Sequence, residues 1–291
     1  MFEIIRKEAL AENIVRMDIL APRVAASAQP GQFVIVRAGE MGERIPLTVS
    51  DYDAAAGTVT IVTQEIGVST CKICALEEGE SLTDFAGPLG RPSDFIYESP
   101  EELRKRRILF IAGGVGTAPV YPQVKWLHER GIGADVIIGA KTKEQLIMTD
   151  EIRSVAANLY ISTDDGSEGF KGLVTGLMEE LILNRGKHYD EVVTIGPMIM
   201  MKFVALATKK LNIKTIASLN TLMVDGTGMC GACRVTVGGK TKFTCVDGPE
   251  FDAHEVDFDE AMRRNSIYKT QEERAMSLLG HKCKIGVANG K

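Results

Sequence analysis

Residues Ile108–Pro119 read ILFIAGGVGTAP: five apolar residues in a row, three glycines within four positions, and a proline where a helix would begin. A solid apolar run of this kind suits a strand buried on both faces, as in a parallel sheet. Glycines let a backbone approach a pyrophosphate, the amides that open a helix face its charge, and proline is tolerated in a first helical turn. Gly113, Gly114, Val115, Gly116 and Thr117 are therefore expected to hold a dinucleotide, although Pro119 takes the sixth place of the usual G-x-G-x-x-G spacing. Alone, such a turn is a weak signal, so the neighbouring segments carry the argument.

Working outward, further solid apolar runs occur at Val136–Ile138, Leu159–Ile161 and Val192–Ile195, separated by helix-like stretches at Tyr121–Arg130, Thr175–Leu183 and Met198–Lys210. Residues 99–218 are thus expected to form an open α/β domain with a parallel sheet. Ligands in such sheets bind beyond the carboxyl ends of the strands. Two more loops fall there: Asp164, Asp165 and Gly166 after one strand, and Gly196, Pro197 and Met198 after another. Each could be a plain surface turn. Adjacent aspartates would repel a 2′-phosphate and could accept hydrogen bonds from a free ribose hydroxyl, which favours NAD(H) over NADP(H).

Residues 1–98 have a different texture. Short alternating runs such as Val15–Ile19 and Thr58–Val62 are split by turn formers, the pattern of an antiparallel barrel or sandwich. Gly67, Val68, Ser69 and Thr70 open a short helical stretch whose amides could face a flavin pyrophosphate. Taken singly, that stretch is a helix cap and the segment Arg44–Ser50 a strand end; their place ahead of a nucleotide domain gives them weight.

The C-terminal segment, residues 219–291, holds the spacing Asp225-x4-Cys230-x2-Cys233-x11-Cys245 among many glycines. A loop around a [2Fe–2S] cluster must bring several ligands to two irons, and small residues permit close approach to the sulfides. The spacing matches the plant-type arrangement if Asp225 replaces the first cysteine, and a carboxylate is a hard oxygen donor for iron. A zinc knot is the alternative, but zinc sites mix Cys with His, and the four histidines are scattered. Cys71, Cys74 and Cys283 are read as small buried hydrophobes, and Met198, Met200 and Met201 as helix packing. The charged stretch Phe258–Leu279 is expected to be helical.

The chain has 34 basic and 39 acidic residues in 291, a net charge of −5, which leaves no electrostatic footprint for nucleic acid. No apolar run is long enough to span a bilayer, and the first residues lack the order of a secretory signal. A cytoplasmic protein without a membrane partner is expected.

The order of these motifs resembles the ferredoxin reductase superfamily, in which a flavin-binding barrel precedes a pyridine-nucleotide domain, here followed by a [2Fe–2S] segment. Within it the chain is similar to the electron-transfer subunits of dihydroorotate dehydrogenases and, more closely, to the small subunits of NADH-dependent reduced ferredoxin:NADP oxidoreductases. The telling stretches are RIPLTVSDYD, FAGPLGRPS, AGGVGTAPVYPQ, STDDGSEGFKG, IGPMIMMK and SLNTLMVDGTGMCGACRVTV. The resemblance implies FAD on the barrel, with Pro46, Leu47, Thr48 and Val49 toward the ring system, Thr63 on a neighbouring strand, and Gly67–Thr70 at the pyrophosphate. Relatives carry arginine immediately before the proline; here Ile45 holds that place and Arg44 is the nearest cation. The resemblance further implies Asp225, Cys230, Cys233 and Cys245 as cluster ligands. It implies a heterodimer with a larger flavin and iron–sulfur subunit that binds NADPH and exchanges electrons with ferredoxin by electron bifurcation. A dihydroorotate dehydrogenase partner is the alternative, and a non-enzymatic binding module a further one. No catalytic acid, base or nucleophile is expected.

Overall fold

The computed structural model describes residues 2–279; Cys283 lies outside them. Seven antiparallel strands come first: β1 (Phe2–Ala11), β2 (Ile14–Leu20), β3 (Phe33–Arg37), β4 (Ile45–Asp53), β5 (Thr58–Gln64), β6 (Ser81–Leu82) and β7 (Asp84–Leu89). Their order in the sheet is β6-β1-β2-β5-β4-β3-β7. The two edge strands are separated in the chain by Thr83 alone, so the sheet must curl until its ends meet, giving a nearly closed barrel. One short helix, α1 (Pro22–Ala25), and the seven-residue α2 (Val68–Cys74) flank it.

Strand β3 shows why this barrel is buried on two sides. Val34 and Val36 point into the barrel core, while Phe33 and Ile35 point outward into a second apolar cluster. Successive strand side chains alternate faces, so a strand with four apolar residues in a row must serve two cores.

The second sheet contains β8 (Ile108–Gly113), β9 (Ala134–Ala140), β10 (Asn158–Thr163), β11 (Phe170–Lys171), β12 (Glu191–Ile195) and β13 (Lys214–Ser218), all parallel to their neighbours. Its helices are α3 (Pro100–Leu103), α4 (Thr117–His128), α5 (Thr149–Val155), α6 (Val174–Glu179) and α7 (Met198–Lys210). Ile108, Phe110 and Ala112 pack on one face of β8 and Leu109 and Ile111 on the other, which accounts for the unbroken apolar run. From β8 the chain builds outward through β9 and β10, then returns to add β12 on the opposite side. The gap between β8 and β12 is therefore the topological switch point.

The remaining segment comprises a hairpin of β14 (Arg234–Val237) and β15 (Lys240–Phe243), α8 (Thr244–Asp247), β16 (Glu250–Asp252), α9 (Phe258–Asn265) and α10 (Lys269–Leu279). Strand β16 pairs antiparallel with β13, so the sheet is mixed and not purely parallel: the C-terminal segment lends it an edge strand. Other differences from expectation are local. Helix α4 begins at Thr117, ahead of Tyr121, because the proline at 119 sits where amides lack intrahelical partners anyway. Helix α6 ends at Glu179 and passes into a wider turn over Glu180–Asn184, and the charged stretch from Phe258 splits into two helices. Cys71, Cys74, Met198 and Met201 are buried, as packing requires. Among the described residues no helix is long and apolar enough to cross a membrane.

Candidate functional site

The turn after β8 and the turn after β12 meet at the switch point. A side chain at Gly116 would fall on the carbonyl of Ile195, and one at Gly196 would lie about 3.0 Å from the amide nitrogen of Gly113, so these backbones touch only because no Cβ intervenes. Gly114 adopts φ +54° and faces open space. Thr117 is fully buried, its hydroxyl donating to the Gly114 carbonyl at 2.9 Å, which closes the turn onto the first residue of α4. Val115 packs with Ile14 and Val62 of the barrel, bringing the glycine turn against strand β5. The structure thus gathers Gly113–Thr117, Gly196 and Pro197 at one place. Met198 differs: its side chain is buried in the cluster with Phe251 and Phe258, leaving only its backbone at the turn.

The acidic pair beyond β10 is not equivalent. Asp165 accepts hydrogen bonds from the amide and hydroxyl of its own neighbour Ser167 at 2.9 and 2.7 Å, and Gly166 takes φ +81° to close that turn. Those bonds, the hydroxyl first, hold the Asp165 carboxyl below the usual aspartate range. Asp164 is exposed and makes no such turn. Both carboxylates are exposed, and of the two only Asp165 is engaged by the Ser167 turn.

On the barrel, β4 alternates: Ile45, Leu47 and Val49 turn into the core, leaving Pro46 and Thr48 outward. Register sets Pro46 opposite Ile35 and Thr48 opposite Phe33. The Thr63 hydroxyl is buried without a hydrogen-bond partner among the described residues, and by alternation it faces inward with Val59 and Ile61, opposite Val15 of the barrel core. At the start of α2, Thr70 caps backward onto the amides of Ile66 and Gly67 at 3.0 Å, and the Ser69 hydroxyl donates to the Glu43 carboxylate at 2.5 Å. Ser69 thus holds an anionic oxygen where a phosphate oxygen would be expected. Glu43, which nothing local marks, was not expected beside this stretch. The Ser69 hydroxyl, a donor to an anionic oxygen, fits a flavin pyrophosphate that takes the place of Glu43.

The cluster loop places its four candidate ligands as two pairs. Cys233 and Cys245 are buried with their sulfurs 3.2 Å apart. Burial, with the neighbouring Cys233 sulfur, pushes the Cys245 thiol up to about 12. Cys230 is exposed, and amides of Ala232, Asp225 and Val224 hold its thiol below the ordinary range. The Asp225 carboxylate takes three hydrogen bonds on one oxygen, Oδ2: from the Thr227 hydroxyl at 2.6 Å and from the amides of Thr227 and Met229 at 2.8 and 3.2 Å. All three of these bonds fall on Oδ2 and none on Oδ1. The Thr227 bonds keep this carboxyl ionised to lower pH than usual. Among the described residues no three His, Cys, Asp or Glu side chains converge to hold a metal ion. Two separate donor pairs suit a binuclear group better than one tetrahedral ion, which needs four donors about one centre. Cys233 and Cys245 share their apolar cluster with Phe33 and Ile35, the outward residues of β3. One cross-strand step therefore separates the thiol pair from Pro46 and Thr48.

Residues 220–257 match the iron–sulfur cluster binding domain of dihydroorotate dehydrogenase B. The chain is 44% identical over 271 residues to a dihydroorotate dehydrogenase B (NAD(+)) electron transfer subunit homolog of Thermotoga maritima, covering 93% of each chain. It is 58% identical over 275 residues to an uncharacterized protein in the adh 3′ region of Clostridium beijerinckii, covering 94% of this chain and 93% of that one. A solved structure of NADH-dependent reduced ferredoxin-NADP oxidoreductase, described for flavin-based electron bifurcation, superposes with a TM-score of 0.86 at 41% identity, covering 96% of this chain and 98% of that one. The paired cluster ligands, the glycine turns at a switch point and these likenesses lead to one assignment: the chain belongs to the family of electron-transfer subunits typified by that of dihydroorotate dehydrogenase B, with the ferredoxin reductase-like fold.

Proposed function

We propose that the chain is a cytoplasmic electron-transfer flavoprotein subunit, exchanging hydride between NAD(H) and FAD and passing single electrons through a [2Fe–2S] cluster to a larger partner. The assembly it fits is an electron-bifurcating NADH-dependent ferredoxin:NADP oxidoreductase, with a flavin and iron–sulfur NADPH-binding subunit as partner and ferredoxin reached through it. When bound, nicotinamide supplies paired electrons as hydride, flavin converts between pairs and single electrons, and the cluster carries one electron at a time. The chain's own part is binding and orientation. Gly113–Thr117 with Gly196 and Pro197 would hold the dinucleotide pyrophosphate, and Asp164 the ribose. Pro46, Thr48 and Gly67–Thr70 would hold FAD, with Leu47 and Val49 backing the strand from within and Thr63 facing the core. Asp225 through Oδ1, Cys230, Cys233 and Cys245 would bind the irons.

One observation carries this reading: the buried thiol pair lies against the outward face of β3, whose cross-strand partners are Pro46 and Thr48. Ligands for a one-electron carrier thus stand beside the strand assigned to the two-electron carrier. The full chain, purified without air and counted for flavin and iron, should reduce a one-electron dye with NADH; a rate no greater than that of a flavin-free control would remove the proposal. Asp225→Cys should keep the cluster but lower its midpoint potential, because thiolate donates more charge to iron than carboxylate. An unchanged midpoint takes Asp225 out of the ligand set. A dihydroorotate dehydrogenase partner is favoured by the Thermotoga maritima likeness; reduction of NAD by dihydroorotate in the natively purified complex would select it.

A further inference from the structure

We propose that Arg44 is a positioning residue for the cluster loop, a cation that pins the Asp225 segment to the barrel and raises the cluster's potential, and that it is not a ligand of the flavin phosphates. The proposal rests on the cluster reading above. Arg44 immediately precedes β4 and shares, by alternation, the outward face of Pro46 and Thr48. Its guanidinium Nη2 donates to the backbone carbonyl of Asp225 at 3.4 Å, across 181 residues of chain. The next residue, Gly226, adopts φ +84° and lies flush on the barrel: a Cβ there would come within 2.8 Å of Ile35 and 2.9 Å of Leu89. The loop carrying the oxygen ligand is thus seated on β3 and β7 at Gly226 and held from the β4 side by Arg44.

Adding an electron to a cluster makes it more negative, so a nearby cation stabilises the reduced state and raises the potential. Arg44 is exposed, and salt screens exposed charges, so the effect is modest and falls with ionic strength. The full chain carrying Arg44→Gln is titrated with dithionite and followed by EPR, with flavin and iron counted. Flavin and iron contents should match the unsubstituted chain, and the reduction equilibrium should fall about threefold, ~28 mV at 59 mV per decade for one electron. Arg44→Glu should move it further the same way, and Arg44→Lys should hold it near the starting value. Raising salt should narrow the gap between the midpoints of the unsubstituted chain and Arg44→Gln, a readout that survives if a variant binds its cluster incompletely. Loss of flavin with an unmoved midpoint would make Arg44 a flavin ligand and overturn the proposal, as would an unmoved midpoint with flavin retained. A chain that contains no iron and shows no EPR signal overturns the cluster reading, and this proposal with it.

Discussion

Gly113 and Gly116 stand three positions apart in one turn, yet a methyl group would meet different obstacles at each. At Gly116 it would strike the Ile195 backbone, which cannot yield without shifting the neighbouring turn; at Gly113 it would meet chiefly the flexible thioether end of Met200. Overpacking of a rigid site costs about 1–3 kcal/mol. Gly116→Ala should therefore raise the KM for NADH about tenfold or more and lower the thermal midpoint. Gly113→Ala should do less of both. Steady-state dye reduction and thermal melts of the two variants check this, and equal effects would mean that contact with Ile195 does not shape the nucleotide turn. Of the acidic pair, sequence showed two carboxylates, and only the hydrogen bonds to Ser167 separate Asp165 from Asp164.

At the scale of elements, α4 is the strut between the two larger units. It starts at the glycine turn and packs along β4, the strand assigned to flavin. Lys125 on α4 bonds both oxygens of Asp51 on β4, at 2.8 and 3.0 Å, with both side chains partly buried. Hydride transfer requires reacting atoms held about 3–3.5 Å apart, so the angle of this strut matters. Lys125→Met and Asp51→Asn should each slow flavin reduction at saturating NADH several-fold with little change in KM. The double variant should recover part of the loss, since it removes both charges together. Stopped-flow reduction of bound flavin measures it; additive losses would show that the pair is not coupled. The boundaries of α7 were legible from apolar spacing, whereas α4 was legible as a helix but starts four residues ahead of the expected Tyr121. The Lys125–Asp51 pair was not legible, because 74 residues separate its members and neither sits in a motif.

In the whole molecule, Glu250 ties three segments. Its carboxylate accepts from Ser93 of the loop after the barrel at 2.9 Å and from Gln123 of α4 at 3.0 Å, while its own strand β16 edges the nucleotide sheet. Burial of the carboxyl raises it to about 7, against the pull of those two donors. A carboxyl raised on folding binds its proton more tightly in the folded state, so its stabilising contribution is full at acid pH below the ordinary glutamate range and is lost as pH rises to about 7. Between pH 5 and 7.5 it should cost at most about 3 kcal/mol of stability. Glu250→Gln should flatten that slope. Urea unfolding at the two pH values tests it, and an unchanged slope in the variant would assign the dependence to other groups. The lowered carboxyls at Asp165 and Asp225 act in the opposite sense and below this window, so they do not mimic it.

By itself, the sequence determined what depends on neighbours in the chain. Unbroken apolar runs specify strands buried on both faces, glycines at 113, 114 and 116 mark a tight strand-to-helix turn, and the spacing from Asp225 to Cys245 marks a candidate ligand set. Only the tertiary structure divided that set into a buried thiol pair and an exposed Asp225–Cys230 pair, turned Arg44 to the cluster loop, and placed β16 in another unit's sheet. Those outcomes join segments up to 181 residues apart. Local pattern carries no information about which distant surface will cover a given face; the shared burial of β3, with one side in the barrel and the other against the cysteines, decided it.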